Sequence, residues 1–334
     1  LYTRSISFRN FYSAGIHTNH GLYATLYSFP AMMKRNLMKG SVIPRYSGLP
    51  TVLKENGYYN LFFMTHEGQY DNMNAFCRTN GYDEVFSQED YPADKVVNSF
   101  GVQDDFLYDY AIPVLNQRAA TGQPFFATLL SISNHPPYVI PPFFHPKTSE
   151  PEMQIVEYAD WALRQFFEEA RKQPWFDNTI FVLEGDHGKL VGDAECELPE
   201  SYNHIPLMIY SSRIQPEEKT AFGGQVDIQP TILGLLNIDY LQNNFGVDLL
   251  KEERPCMFYT ADNMVVGRND TLLYLYNYET QQELTYDIGN GKLNAVPMDD
   301  SFLPLKEYSF SMLQSAEFLV KHGKTLNSIP FTQQ

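Results

Sequence analysis

The chain is short of basic charge, of paired cysteines and of long hydrophobic runs, and each shortage removes a class of function. Its 24 lysines and arginines stand against 40 aspartates and glutamates, a formal net charge of −16 over 334 residues. A surface of that sign repels nucleic acid and anionic lipid unless a metal or a local basic pocket intervenes, which excludes a nucleic-acid partner. The three cysteines, Cys77, Cys196 and Cys256, lie far apart with no paired spacing, so they form neither a zinc knuckle nor an obvious disulfide framework and do not settle the compartment. No run of about 18 apolar residues is present to span a bilayer, and no signal peptide opens the sequence, so this polypeptide is expected neither to cross a membrane nor to direct its own export.

With 43% hydrophobic residues there is material for a large core, and the length suits one big α/β domain with an appendage. Apolar strand candidates recur at Tyr59–Met64, Phe125–Ile132, Thr179–Glu184 and Ile205–Tyr210, separated by helical stretches. That alternation predicts a mostly parallel central sheet with helices on both faces. Residues 154–172 read as the clearest helix, with Ile155, Ala159, Ala162, Leu163, Phe166 and Phe167 at helical spacing. A second helix is announced by Asp227, read as its N-cap, with Pro230 in the first turn. Beyond residue 250 the texture changes to alternating segments at Cys256–Thr260, Thr271–Tyr276 and Glu283–Asp287, then a helix over Leu305–His322. The expected organisation is a catalytic domain over 1–250 and a small subdomain over 251–334, an antiparallel sheet with a helix.

One junction carries most of the chemistry. Residues 179–188 run as an apolar strand into Gly185, Asp186 and His187, at the carboxyl end where open α/β sheets place ligands. A carboxylate and an imidazole presented there suit a divalent metal, although an isolated Asp-His pair reads better as a turn and its cap. Near the start, Thr18 sits between His17 and His20 in a glycine-flanked turn before a short helical run. A hydroxyl at a helix N-terminus lies in positive potential, which suits a nucleophile, and it suits a simple N-cap as well.

The order of Thr18 in its turn, His66 in Met-Thr-His-Glu-Gly, Asn134-His135-Pro136 after a strand and Gly185-Asp-His-Gly resembles the lipoteichoic acid synthase and phosphoglycerol transferase branch of the sulfatase/alkaline phosphatase superfamily. Tyr158-Ala-Asp-Trp, Asp177-Asn-Thr-Ile, His204-Ile-Pro-Leu and Gly224-Gln-Val-Asp-Ile-Gln-Pro-Thr extend the likeness over most of the chain. The resemblance implies an alkaline phosphatase-like fold, Thr18 as nucleophile and metal ligand, and Asp186 and His187 as further ligands. The metal it implies is manganese or magnesium, with zinc as an alternative. It places His135 and His66 on the substrate side, with Asp71 and Asn74 in the next wall of the pocket. Glycerol phosphate-using relatives carry an aromatic and an arginine in that wall, and Asp71, Asn72, Met73 and Asn74 depart from this. His20 reads as a pocket residue beside the nucleophile. His204 reads either as the site's edge or as a buried, hydrogen-bonded structural histidine.

A threonine hydroxyl titrates far above neutral pH, and coordination to a cation generates its alkoxide without a strong base. The implied reaction moves a phosphorylated alcohol headgroup from a phospholipid through a covalent threonine ester to a hydroxyl acceptor in the cell envelope. With water as acceptor it becomes hydrolysis of a phosphate or sulfate ester. Formylglycine sulfatases need Cys or Ser in a Cys/Ser-x-Pro/Ala-x-Arg context, which the Thr18 segment does not supply. A non-catalytic envelope binding protein of the same fold is the alternative from another class. The resemblance further implies an extracytoplasmic domain of a membrane-anchored bacterial inner-membrane protein, with an acidic metal ligand upstream of Leu1. On that expectation the present chain is truncated, binds metal weakly and has low activity.

Overall fold

A computed structural model describes residues 1–40 and 42–327. The chain forms two compact units, one of Leu1–Leu49 with the chain from Ile180 onward, the other Pro50–Thr179. These boundaries fall inside the 1–250 segment read from sequence texture.

In the first unit a four-stranded sheet has the order Phe181–Glu184, Leu207–Tyr210, Ile6–Tyr12, Glu217–Gly224. The Ile6–Tyr12 strand is parallel to Glu217–Gly224 and antiparallel to Leu207–Tyr210, pairing Ile6 with Glu217 on one side and with Ile209 on the other. Leu207–Tyr210 is also antiparallel to Phe181–Glu184. The strand expected at Ile205–Tyr210 is therefore real and runs against its neighbours. The cause is the connection: residues 185–206 hold only the short 3-10 turn Glu200–Tyr202 and no crossover helix, which a parallel return would need. The Glu217–Gly224 strand was not foreseen. Its first half is exposed and charged because it lies at the sheet's edge, so it carries no apolar alternation.

A second sheet in this unit is antiparallel and five-stranded, from Met257–Thr260 through Met264–Arg268, Leu272–Asn277 and Gln282–Asp287 to Asn294–Ala295. The helix Leu303–Lys321 packs on its first two strands. Tyr12, Phe222, Met257, Tyr259, Val266 and Leu275 share one core cluster, so this sheet is packed onto the end of the Ile6–Tyr12 strand. Asp227 precedes the helix Ile228–Leu235 as expected, but its carboxylate does not cap it. It accepts from the backbone N–H of Gly224 and Val247, both at 2.9 Å, and takes the Arg254 guanidinium through Nε at 2.8 Å and Nη2 at 2.5 Å.

The second unit is built on a parallel sheet of order Glu84–Phe86, Tyr59–Met64, Phe125–Leu130. The helix Asp104–Ala119 packs on the latter two strands, and the helix Pro151–Ala170 packs on it in turn. The helix read over 154–172 starts three residues earlier because Pro151 suits the first turn, where no N–H bond is lost. It buries Ile155, Tyr158, Ala162, Phe166 and Phe167.

The Arg254–Asp227 pair is nearly dry, with side chains 8% and 0% exposed. Removing one charge strands the other in a low-dielectric interior, so Arg254→Leu is expected to cost about 3–5 kcal/mol. Urea unfolding of the two proteins measures this directly, and a loss under 1 kcal/mol would mean that the pair is solvated.

Candidate active site

The Ile6–Tyr12 strand delivers the chain into a tight turn and then into the helix Thr18–Tyr27. The turn is held from below by Asn203, whose buried Nδ2 donates to Ser13 Oγ at 3.2 Å and the Gly15 carbonyl at 3.4 Å, while Ser13 Oγ itself donates to the Gly15 carbonyl at 2.8 Å. The N-cap position belongs to His17, with no side-chain cap bond, so the Thr18 hydroxyl is not used in capping. It donates to Asp186 Oδ2 at 2.7 Å. His187 Nε2 lies 3.6 Å from the same carboxylate oxygen. Thr18, Asp186 and His187, read from two distant segments, are thus brought together.

The supports of this trio were not visible as such in the sequence. Gln225, 1% exposed, accepts from the Ala14 N–H at 2.9 Å and donates to the carbonyls of Asp186 at 2.8 Å and Gly185 at 3.2 Å. One side-chain amide therefore ties the turn before Thr18 to the junction bearing Asp186. Gly21 lets the helix approach: a Cβ there would lie 2.4 Å from the Asp186 carbonyl oxygen. A glycine inside a helix costs roughly 1 kcal/mol against alanine, and that unfavourable choice was the available signal.

His187 Nδ1 lies 2.8 Å from the Gly188 carbonyl, which can only accept. Nδ1 therefore donates to that carbonyl, which leaves Nε2 as the ring nitrogen on the Asp186 side. A carboxylate, an imidazole lone pair and a hydroxyl form a mixed oxygen and nitrogen donor set that fits a divalent cation with positions left open. Among the described residues no cluster of three or more His, Cys, Asp or Glu is arranged for a metal.

Nearby groups are tuned by burial. Desolvation pushes the Glu184 carboxyl up to about 8, with Asp186 adding in the same direction. Thr25 Oγ1, on the same helix as Thr18, donates to Glu184 at 2.6 Å. His20 is 3% exposed, and burial with the neighbouring His17 lowers it to about 4, which keeps it neutral; it is no solvated turn residue. His17 itself pairs with Asp262 at 2.6 Å. His204 stacks on Tyr12 with centroids 5.1 Å apart, and its Nε2 bonds the Arg9 carbonyl at 2.7 Å. The ring is hydrogen-bonded on the sheet, but it is exposed and not buried as the structural reading expects.

The remaining sequence-predicted residues lie in the second unit. His66, at the end of Tyr59–Met64, is buried, with Nδ1 3.1 Å from the Glu67 carbonyl and its ring 4.6 Å from Tyr70. Asp71 stands at φ 49° and Asn72 at φ 63°, a left-handed pair that turns the chain into the helix Met73–Thr79. Asn74 Oδ1 accepts from Arg78 Nε at 2.8 Å. His135 lies with Nδ1 2.6 Å from the Pro136 carbonyl and its ring 4.1 Å from Phe100. Within this unit Tyr70 and Phe100, 6.3 Å apart, link the two imidazoles into one row of rings.

A family model described as Sulfatase matches residues 1–238. Lipoteichoic acid synthase 1 of Bacillus subtilis (strain 168) is 26% identical over 270 residues, covering 74% of this chain and 40% of that protein. Phosphoglycerol transferase I of Xanthomonas campestris pv. campestris is 25% identical over 242 residues, covering 69% of this chain and 34% of that protein. The chain thus spans well under half the length of these curated relatives. Among solved structures, a protein in the alkaline phosphatase superfamily from Vibrio parahaemolyticus superposes with a TM-score of 0.87 at 26% identity, covering 97% of this chain and 81% of that one. Lipoteichoic acid synthase LtaP from Listeria monocytogenes superposes with a TM-score of 0.80 at 22% identity, covering 96% and 85%, a likeness of fold.

Two outcomes follow from the geometry. Gly21→Ala, which raises helix propensity, is expected to destabilise by about 1–3 kcal/mol because its methyl drives the helix off the Asp186 carbonyl. A variant more stable than the parent in urea unfolding would show that the helix does not seat there. Burial lowers His66 below its ordinary 6.5. The unfolded chain therefore takes up this proton first as pH falls, and stability drops on acidification below about 6.5. His66→Gln is expected to flatten that part of the stability-against-pH curve, and an unchanged slope would place the ring in solvent.

Proposed function

The chain belongs to the sulfatase family, and on that premise we propose that Thr18 is the nucleophile of a metal-dependent transferase acting on a phosphorylated alcohol headgroup, phosphoglycerol-like, with an envelope glycan or lipid hydroxyl as acceptor. The observation that carries this reading is the Thr18 Oγ1 to Asp186 Oδ2 hydrogen bond of 2.7 Å, with His187 Nε2 at 3.6 Å from the same oxygen. The names of the relatives, lipoteichoic acid synthase and phosphoglycerol transferase, support the headgroup class.

Thr18, Asp186 and His187 would hold the divalent cation, manganese with magnesium or zinc as alternatives, and its charge would lower the hydroxyl's pKa and polarise the phosphoryl group. The remaining work falls to the chain. The Thr18 proton is already directed at the Asp186 carboxylate, so the hydroxyl oxygen can bond to phosphorus as its O–H bond breaks. The P–O bond to the lipid alcohol then breaks, and the departing alkoxide takes up a proton. In the second half an acceptor hydroxyl bonds to the phosphorus of the threonine ester, gives up its proton, and Thr18 leaves and is reprotonated. The positive end of the helix Thr18–Tyr27 favours negative charge on the threonine oxygen throughout. Gln225 and Gly21 keep nucleophile and carboxylate in register, which is the positioning contribution.

Among the described residues no helix is long and apolar enough to cross a membrane. We place the domain outside the cytoplasm of a bacterium, on the strength of the substrate class alone. The assignment of His135, His66, Asp71, Asn74, His20 and His204 to substrate remains part of the same proposal, and the steps above do not depend on it.

In the full-length protein, Thr18→Ala is expected to lower turnover of a phosphoglycerol-bearing lipid by at least about 10³-fold. Stopping the parent reaction with acid should trap one phosphorylated alcohol on the Thr18 peptide, read by mass spectrometry. Full activity in the alanine variant, or no labelled peptide at single turnover, would refute the nucleophile. Product analysis with and without an alcohol acceptor separates transfer from hydrolysis.

A further inference from the structure

The chain is acidic as a whole, yet the segment that carries Thr18 has the opposite sign. Residues 1–49 hold six lysines and arginines and no aspartate or glutamate, in a protein of formal net charge −16. Such an imbalance makes a local positive field that a negatively charged ligand can follow against the repulsion of the remaining surface.

Within this segment Arg9 is paired with Glu218, whereas Lys34 and Arg35 are exposed and, among the described residues, neither side chain is engaged in an ion pair or hydrogen bond. Both lie on a turn that is pinned from either side. Ala31 and Met32 before it and Leu37 and Met38 after it are buried, and the Arg35 N–H closes on the Met32 carbonyl at 3.1 Å. Met33 is held in the left-handed region at φ 48°, a strained conformation that persists only where the surroundings fix it. The turn is tied to the start of the Thr18–Tyr27 helix on two flanks. The Lys34 N–H donates to the Asp262 carbonyl at 3.2 Å, and the Asp262 carboxylate meets Nε2 of His17, the residue before Thr18, at 2.6 Å. On the other flank, burial raises the hydroxyls of Tyr23 and Tyr46, and the Arg35 charge opposes that rise at both. The Arg35 guanidinium is therefore within electrostatic range of Tyr23, on the helix that Thr18 opens.

We infer that Lys34 and Arg35 form an anion subsite that receives a phosphate-bearing headgroup beside Thr18. An arginine fork matches two phosphate oxygens and a lysine supplies a mobile point charge, so the pair covers a phosphate without a rigid cage. The positive end of the Thr18–Tyr27 helix adds potential of the same sign. A neutral or cationic ligand would gain nothing from two unpaired cations. An anionic bilayer is the other surface that could meet them, but two charges fall short of the roughly four to eight that mark a lipid-binding basic cluster. Calling the headgroup a substrate rests on the transferase reading; the anion site itself does not.

The test is calorimetric titration of the full-length protein with glycerol phosphate in the presence of a chelator, at an ionic strength of about 0.01 M, where screening is weak. Binding with a Kd of about 1 mM or tighter is expected. The double variant Lys34→Ala with Arg35→Ala should weaken it by at least about 10-fold at an unaltered melting temperature. Lys34→Arg with Arg35→Lys, which keeps both charges, should retain it. Raising the salt to about 0.3 M should weaken the parent far more than the alanine double variant. Thr18→Ala should still bind, so a parent that binds through Lys34 and Arg35 but forms no threonine ester would refute the nucleophile alone. Equal affinity in the alanine double variant, or no binding by the parent at about 10 mM, would overturn the subsite. So would a double variant that loses only its binding to phosphatidylglycerol vesicles, since the two cations would then be a membrane contact.

Discussion

The active-site geometry depends on one buried side-chain amide. Gln225 joins the backbone at Ala14 to the backbone at Gly185 and Asp186, and it does so where no water can substitute. An unpaired peptide group in that position costs on the order of 1–3 kcal/mol, so the three bonds act together to hold two chain segments far apart in sequence at a fixed spacing. Ala14, next to which the amide bonds, belongs to a buried cluster of small side chains with Ala24, Ala31 and Val226. Thr18 meets Asp186 because the helix that carries it is pressed against the junction by this joint, and Gly21 removes the one methyl that would prevent it.

The electrostatics follow from the same crowding. Two carboxyls, Glu184 and Asp186, stand two residues apart on a strand and its exit, and burial separates their behaviour. Glu184 is pushed up to about 8 and is held by Thr25, so near neutral pH it is largely uncharged. Asp186 is the group of the two that faces the hydroxyl and the imidazole. His20, lowered to about 4, adds no positive charge beside Thr18 that would compete with a cation. An acidic chain thereby brings one carboxylate and one imidazole together at the Thr18 turn.

The elements that were legible in the sequence are those whose apolar pattern is local. Tyr59–Met64 has the expected boundaries, and the 151–170 helix and the strand ending at Glu184 lie close to theirs, because burial on two faces or one stripe writes itself into residue spacing. The trio at the site was legible for a different reason: Asp186 and His187 end a strand, Thr18 starts a helix, and both are positions where side chains have no partner of their own. What escaped depends on long-range packing. The Glu217–Gly224 strand is charged over its outer half, the reversal of Leu207–Tyr210 is set by a loop without a helix, and Gln225 looks like any glutamine in a polar turn until Ala14 and Asp186 are seen on either side of it. His204, which precedes a strand, has its ring on Tyr12 and a nitrogen on the Arg9 carbonyl, contacts that its sequence neighbours do not announce.

That contact leads to a last consequence for the small antiparallel sheet. Tyr12 is held between His204 and Tyr259, the latter parallel to it with centroids 5.6 Å apart, and its hydroxyl donates to Glu200 at 2.9 Å. Arg268, from the neighbouring strand of the same sheet, pairs with Glu200 and lies 5.0 Å from the Tyr12 ring centroid. Tyr12 is followed directly by Ser13, the residue through which Asn203 secures the turn into Thr18. Side chains of the C-terminal sheet therefore grip the strand end from which the turn into Thr18 departs, and they also grip the 200–204 segment that supports that turn. A module whose sequence texture sets it apart is, physically, part of the clamp that holds the Thr18 turn. A change in its packing should reach Thr18 through Tyr12 and Asn203 without touching any residue of the trio.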